Sequence, residues 1–299
     1  MSSQEAPLAE VLISADELAH RPSLETRVAL QNAAPLDTLG IRSSRLRDDT
    51  VLGWLHHAAA AGDSAVLDVG CAFGNLLFML NAKLGKAQTR RLLGIDINEE
   101  QLEFARAFAA SVPGYQNCHF ENADLEQPLP FDDATFDAIC AMDVIEHLPD
   151  PPAVLRELHR VLKPGGTVVI TTPSEGSLFK RFATSANRLS RGRVGRAYYS
   201  GKDQTEVDEH GHAVMLVEAG HDHISEMSPA QLLDLATSSG FEISEIKPLT
   251  VMSGSAWFDR HAALLAGLIA LEAVHARLQR LSWAHAVAVR LVKTGDDVR

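Results

Sequence analysis

From Ser64 onward the chain alternates short β-branched runs with segments of helical length, and few folds accept that pattern. The runs are AVLDVG (65–70), LLGID (92–96), CHFENAD (118–124), FDAICAM (136–142) and GTVVITT (166–172), with helical patterns over Asn75–Leu84, Glu99–Ala110 and Pro152–Leu162. Strand, helix and next strand make a βαβ unit, whose crossover leaves the two strands parallel. Repetition of that unit predicts a doubly wound sheet. The Lys163-Pro164-Gly165-Gly166 stretch reads as a helix stop and turn.

The regularity breaks over residues 174–226 and resumes where Ser228-Pro229 opens a helix to Ser239, stopped by Gly240 and followed by FEISEIKPL (241–249). A long apolar helical pattern from Trp257 to Leu281 and an alternating edge or near-edge strand, AVAVRLVK (286–293), follow. The expectation is an α/β fold: a doubly wound, seven-stranded, mostly parallel sheet with a helical or irregular insertion before strand six. Residues 1–63 read as an N-terminal helical cap, 64–299 as the main domain, and about 174–226 as a lid inserted in it. Leu264, Leu265, Leu268, Leu271 and Val274 in the late helix fit helical spacing and suit a homodimer seam, an acceptor wall or the core.

With 46% apolar and 22% charged residues the chain is ordinary folded protein, and a net charge of −12 opposes a main role in wrapping nucleic acid. Cys71, Cys118 and Cys140 are odd in number and sit in apolar runs, so a disulfide framework is not expected and a cytoplasmic setting is. The first residues carry acids where a secretory signal carries positive charge, and the apolar run Ala262–Leu271 is too short to span a bilayer.

The strongest local signal is Asp68-Val69-Gly70-Cys71-Ala72-Phe73-Gly74, between a strand and a helix. Glycines there let a ligand approach the backbone, and the helix start offers free N–H groups. Counted from Gly70, the dinucleotide spacing G-x-G-x-x-G meets Ala72 and Asn75, so the pyrophosphate reading is weak. Asp96 at the second strand tip is placed for ribose hydroxyls, and Asp124 with Leu125 at the third for an adenine amino group and ring face. Each aspartate alone could equally be a helix cap or turn former; their joint spacing favours one nucleoside crevice.

Together, Asp68 to Gly74, Gly94 to Asn98, Ala123 to Leu125, Phe136-Asp137 through Val144-Ile145-Glu146-His147-Leu148, and Leu162 to Gly166 resemble class I S-adenosylmethionine-dependent methyltransferases. The likeness is to the ubiquinone-biosynthesis type of small-molecule enzyme, and covers about 64–173 and 223–248. It implies a Rossmann-like fold and S-adenosylmethionine as cofactor. It further implies that Gly70, Cys71 and Gly74 approach the methionine part, and that Asp68 orders the glycine turn or meets the cofactor's amino group. Asp96 holds the ribose, Asp124 and Leu125 read adenine, and Ile97 and Asp143 belong to the same cofactor site. Ala72 departs from the commoner glycine.

On the acceptor side, Gly176–Tyr199 is basic, with Lys180, Arg181, Arg188, Arg191, Arg193 and Arg196, whereas Lys202–Glu226 is acidic and carries His210, His212, His221 and His223. These halves either pair as solvated faces or hold an anionic acceptor. A hydroxyl acceptor must lose its proton, and His147 or His223 is the candidate base, with a structural role the plain alternative for His147. Asp143, Glu146 and His147 lie at i, i+3 and i+4, one face of a helical turn if the segment makes one, and with His221 or His223 they form a candidate magnesium, manganese or zinc site. The Asp143-to-His147 stretch resembles the acidic-x-x-Glu-His segment of the quinone enzymes and of small-RNA terminal 2′-O-methyltransferases. The expected function is O-methylation of a small natural product, sugar, quinone or lipid-linked acceptor. An RNA methyltransferase and a non-catalytic nucleoside-binding scaffold stand as alternatives.

Overall fold

The computed structural model describes residues 39–60, 63–85, 91–175, 227–251 and 262–294, with Ser177, Arg181, Ser185, Arg188, Leu189 and Ser225 between them. Helix α1 (Leu39–Ala58) precedes β1 (Ala65–Val69), α2 (Asn75–Lys83), β2 (Arg91–Asp96), α3 (Glu99–Ser111), β3 (Cys118–Asn122) and β4 (Phe136–Met142). A 3₁₀ turn (Ile145–His147), α4 (Pro151–Val161), β5 (Leu162–Pro173), α5 (Pro229–Ser238), β6 (Phe241–Thr250), α6 (Ala262–Leu278) and β7 (Ala286–Lys293) follow.

The strands form one sheet in the order β3-β2-β1-β4-β5-β7-β6. Strands β1 to β5 pair in parallel, and β7 runs antiparallel between β5 and β6. The chain winds outward from β1 to β3, returns, and winds outward again through β4 and β5. Between β1 and β4 the winding therefore reverses, and such a reversal opens a crevice beyond the strands' carboxyl ends. The turn expected at Lys163–Gly166 lies inside β5 as an irregularity: Phe136 pairs with Leu162, and regular pairing resumes at Ala138 with Thr167.

Both faces of the sheet are covered, which is why its strands read as nearly continuous apolar runs. Leu67, Val69, Leu93, Ile95 and Ile139 pack on one side against α4 and α5 residues such as Leu155, Leu158 and Leu232. Val66, Leu92, Ala138, Cys140 and Val169 pack on the other, together with Val51, Trp54 and Leu55 of α1. Helix starts follow their sequence signals. Asn98 caps α3 by accepting from the Gln101 amide, Asp150 caps α4 by accepting from Ala153, and Ser228 with Gln231 makes a capping box on α5. On α6, Leu271, Val274 and Leu278 are exposed, while His275 is buried and stacks on Trp283. All three cysteines are buried free thiols. Among the described residues no helix is long and apolar enough to cross a membrane.

Candidate active site

At the end of β1 the backbone turns sharply under two hydrogen bonds, as the Gly70 and Cys71 amides both donate to the Ile95 carbonyl, at 2.8 and 3.0 Å. Gly70 has φ 69° and Gly74 φ 79°, the left-handed region that glycine enters freely. Space adds to the requirement. A Cβ on Gly70 would lie 2.5 Å from Val144 Cγ2, and one on Gly74 would lie 2.5 Å from the Phe120 ring. Ala72 is left-handed as well, at φ 47°, where a methyl group costs about 1 kcal/mol. Its amide is held by Asp96 Oδ2 at 2.8 Å.

Asp96 is thus the side chain that orders the glycine turn, and its other oxygen accepts from the Asn98 amide at 2.9 Å, shaping the approach to α3. Asp68, the other candidate for that task, is left without it. Asp68 is 2% exposed, and among the described residues no hydrogen bond reaches its carboxylate. Burial, then the charge of Asp96, pushes its pKa up to about 8. An acceptor so placed suits a cationic donor such as the α-ammonium group of S-adenosylmethionine, and this buried carboxylate is where the site fits that cofactor best.

The tips of β2 and β3 are tied together. The Ala123 amide donates to the Asp96 carbonyl at 3.1 Å, and Asn122 Nδ2 to the Ile97 carbonyl at 3.0 Å. Ile97 itself is 69% exposed, an apolar side chain open beside Asp96. Asp124 is half-buried, with Oδ1 accepting from the Glu126 amide at 2.9 Å, and Leu125 packs partly against the core. Cys71 contributes its backbone; burial pushes its thiol far above the usual range, which leaves no thiolate for nucleophilic chemistry.

The acidic segment after β4 does not make the α-helical turn that would put Asp143, Glu146 and His147 on one face. Asp143 has φ 52°, and only Ile145–His147 form a turn, of 3₁₀ type. The Asp143 carboxylate pairs with Arg47 through one oxygen and accepts the Thr171 hydroxyl through the other, at 2.8 Å. Glu146 is fully buried, and its Oε2 accepts the Thr172 hydroxyl at 3.0 Å. Thr171 and Thr172 are consecutive in a strand and point to opposite faces, so the two carboxylates they hold are directed apart. Among the described residues no group of His, Cys, Asp and Glu stands together as a metal site. His221 and His223 lie outside the described residues, as does nearly all of the expected lid. His147 is half-buried, its amide donating to the Val144 carbonyl at 3.0 Å.

Asp68, Gly70, Cys71, Gly74, Asp96, Ile97, Asp124, Leu125 and Asp143 therefore gather at the carboxyl ends of β1 to β4, where the winding reverses. Residues 61–211, half of the chain, match the family model described as Methyltransferase domain. The chain belongs to the methyltransferase family. This methyltransferase is similar to the ubiquinone biosynthesis O-methyltransferase of Pseudomonas paraeruginosa, at 27% identity over 67% of this chain and 73% of that one. It is also similar to the chloroplastic 2-phytyl-1,4-beta-naphthoquinone methyltransferase of Arabidopsis thaliana, at 32% identity over 50% of this chain and 57% of that one. In fold it resembles the geranyl diphosphate C-methyltransferase of Streptomyces coelicolor A3(2), with a TM-score of 0.53 at 15% identity, over 85% of this chain and 83% of that one. The methyltransferase depends on S-adenosylmethionine.

Sequence reasoning missed Arg47, Thr171 and Thr172. Arg47 and Asp48 are adjacent charges in an otherwise mixed helix, and no spacing rule links Arg47 to a partner 96 residues away. The two threonines read only as β-branched strand formers.

Proposed function

We propose that this methyltransferase moves the cofactor's methyl group onto a hydroxyl oxygen of a small, ring-bearing acceptor of the quinone-precursor kind. The observation that carries the reading is the similarity to ubiquinone biosynthesis O-methyltransferases over two thirds of the chain. When bound, S-adenosylmethionine supplies an electrophilic methyl group on a sulfonium centre.

The chain's own residues then have distinct tasks. Asp68 accepts from the cofactor's ammonium group, and the peptides of Gly70, Cys71 and Gly74 lie against its methionine part. Asp96 keeps lone pairs for the ribose hydroxyls while it holds Ala72. Ile97 and Leu125 offer apolar surfaces to the adenine, with Asp124 at its amino group. His147, half-buried one turn past β4, takes the acceptor's proton. His223 is a second candidate for that task, and the basic stretch Gly176–Tyr199 the candidate holder of an anionic acceptor; both rest on the sequence alone. A homodimer would use the exposed Leu271, Val274 and Leu278 of α6. Asp143 and Glu146 act as structural carboxylates in this reading, since each is engaged by a threonine. The RNA-methylating and scaffold readings gain no observation of their own.

The test is transfer of labelled methyl from S-adenosylmethionine to a panel of hydroxylated rings, sugars and RNA. Label in a phenolic hydroxyl supports the proposal. Label confined to RNA, or to carbon, would overturn it.

A further inference from the structure

A left-handed residue with a side chain persists only when its surroundings over-determine it, and Asp143, at φ 52°, is such a residue. Its amide donates to the Thr171 carbonyl at 2.9 Å, its Oδ1 accepts the Thr171 hydroxyl at 2.8 Å, and its Oδ2 pairs with the Arg47 guanidinium. Arg47 is held in turn: its Nε donates to Asp48 Oδ1 at 3.3 Å. Asp48 is 6% exposed, an acid on the inward side of α1, where burial pushes its pKa up against the opposing effect of Arg47. Burying a carboxylate there is unfavourable unless its charge is used.

The use lies at the far end of the chain of contacts. Asp143 is followed by Val144, and Val144 Cγ2 lies against Gly70, closing off the space a Cβ would need there. A change in the Asp143 backbone therefore moves a side chain that rests on the glycine turn. We infer that Asp48 is a positioning residue for that turn, acting through Arg47 on Asp143, so that α1 belongs functionally to the cofactor site. The inference rests on the proposed placement of S-adenosylmethionine at Gly70.

A charge pair that merely stabilised the fold would change the unfolding midpoint and leave the affinity of the folded protein alone. The experiment is calorimetric titration of the full chain with S-adenosylhomocysteine, at a temperature where each variant is folded. Asp48→Asn should weaken binding about fivefold or more, and Asp143→Asn at least as much. The double variant should bind no more weakly than Asp143→Asn alone, because both changes loosen one path. Thr171→Val, which loosens Asp143 from the other side, should also weaken binding, and Thr171→Ser should restore it; Arg47→Gln, which cuts the path between Asp48 and Asp143, should weaken binding as Asp48→Asn does, and wild-type affinity in folded Arg47→Gln would overturn the inference should Asp48→Asn not fold. Wild-type affinity in folded Asp48→Asn, or losses that multiply in the double variant, would overturn the inference while leaving the cofactor site standing. A wild-type chain that does not bind S-adenosylhomocysteine would sink the site and the inference together.

Discussion

Asp96 serves the glycine turn and the proposed ribose contact with the same carboxylate. Asp96→Ala removes both, so cofactor binding should weaken by about 2–3 kcal/mol, the worth of a charge-assisted hydrogen-bond pair. Calorimetry with S-adenosylhomocysteine on the folded variant checks it; unchanged affinity would remove the ribose assignment. Asp68 gives a pH prediction. Its pKa in the fold is pushed up to about 8, so between the ordinary carboxyl range and about pH 8 the folded protein holds a proton that the unfolded chain has released. Stability of the cofactor-free protein should therefore fall as pH rises through that window. Asp68→Asn has no such proton to lose: its melting temperature should gain on wild type from pH 5 to pH 8.5, even as its cofactor affinity drops. Equal pH slopes for the two proteins would show that Asp68 is paired. The three aspartates were legible in the sequence because each lies at or near the end of a strand and the strands recur in order. The division of labour between Asp68 and Asp96 was not, since it depends on which carboxylate faces the Ala72 amide.

Elements with local start signals were the most legible. The Ser228-Pro229 start became a capping box in which Ser228 Oγ accepts from the Gln231 amide at 3.3 Å and Gln231 Oε1 accepts from the Ser228 amide at 2.8 Å. Ser228→Ala should cost about 1 kcal/mol, read as a shift in the denaturant midpoint with unchanged slope. No shift would mean that Pro229 alone sets the start of α5. The segment after β4 does not meet the condition that the candidate metal site required, for a physical reason. Spacings of i, i+3 and i+4 put side chains on one face only in an α-helix, and here Asp143 is left-handed because Arg47 and Thr171 hold it there. Both partners are tertiary, and local pattern carries no trace of them. Helix α1 shows the same limit, as a helical cap within residues 1–63 was readable but the reach of α1 to the β4 tip was not.

Across the whole molecule, one strand is out of chain order: β7 (Ala286–Lys293) lies between β5 and β6. That placement has a consequence for biosynthesis. A ribosome that has released β1 to β5 has made everything needed for a parallel half-sheet, yet β6 has no neighbour until residue 286 has emerged. Until then the edges of β5 and β6 that β7 will cover stand unpaired, edges of the kind that recruits other chains. Truncation after Trp283 should accordingly give insoluble protein rather than a slightly weakened enzyme, because it removes the centre of the antiparallel half and not its margin. A soluble, cooperatively melting truncate would show that β5 tolerates an open edge. Supplying residues 284–294 as a separate peptide during refolding should recover soluble material, so that the order of synthesis, and not only the finished contacts, becomes something this fold must survive.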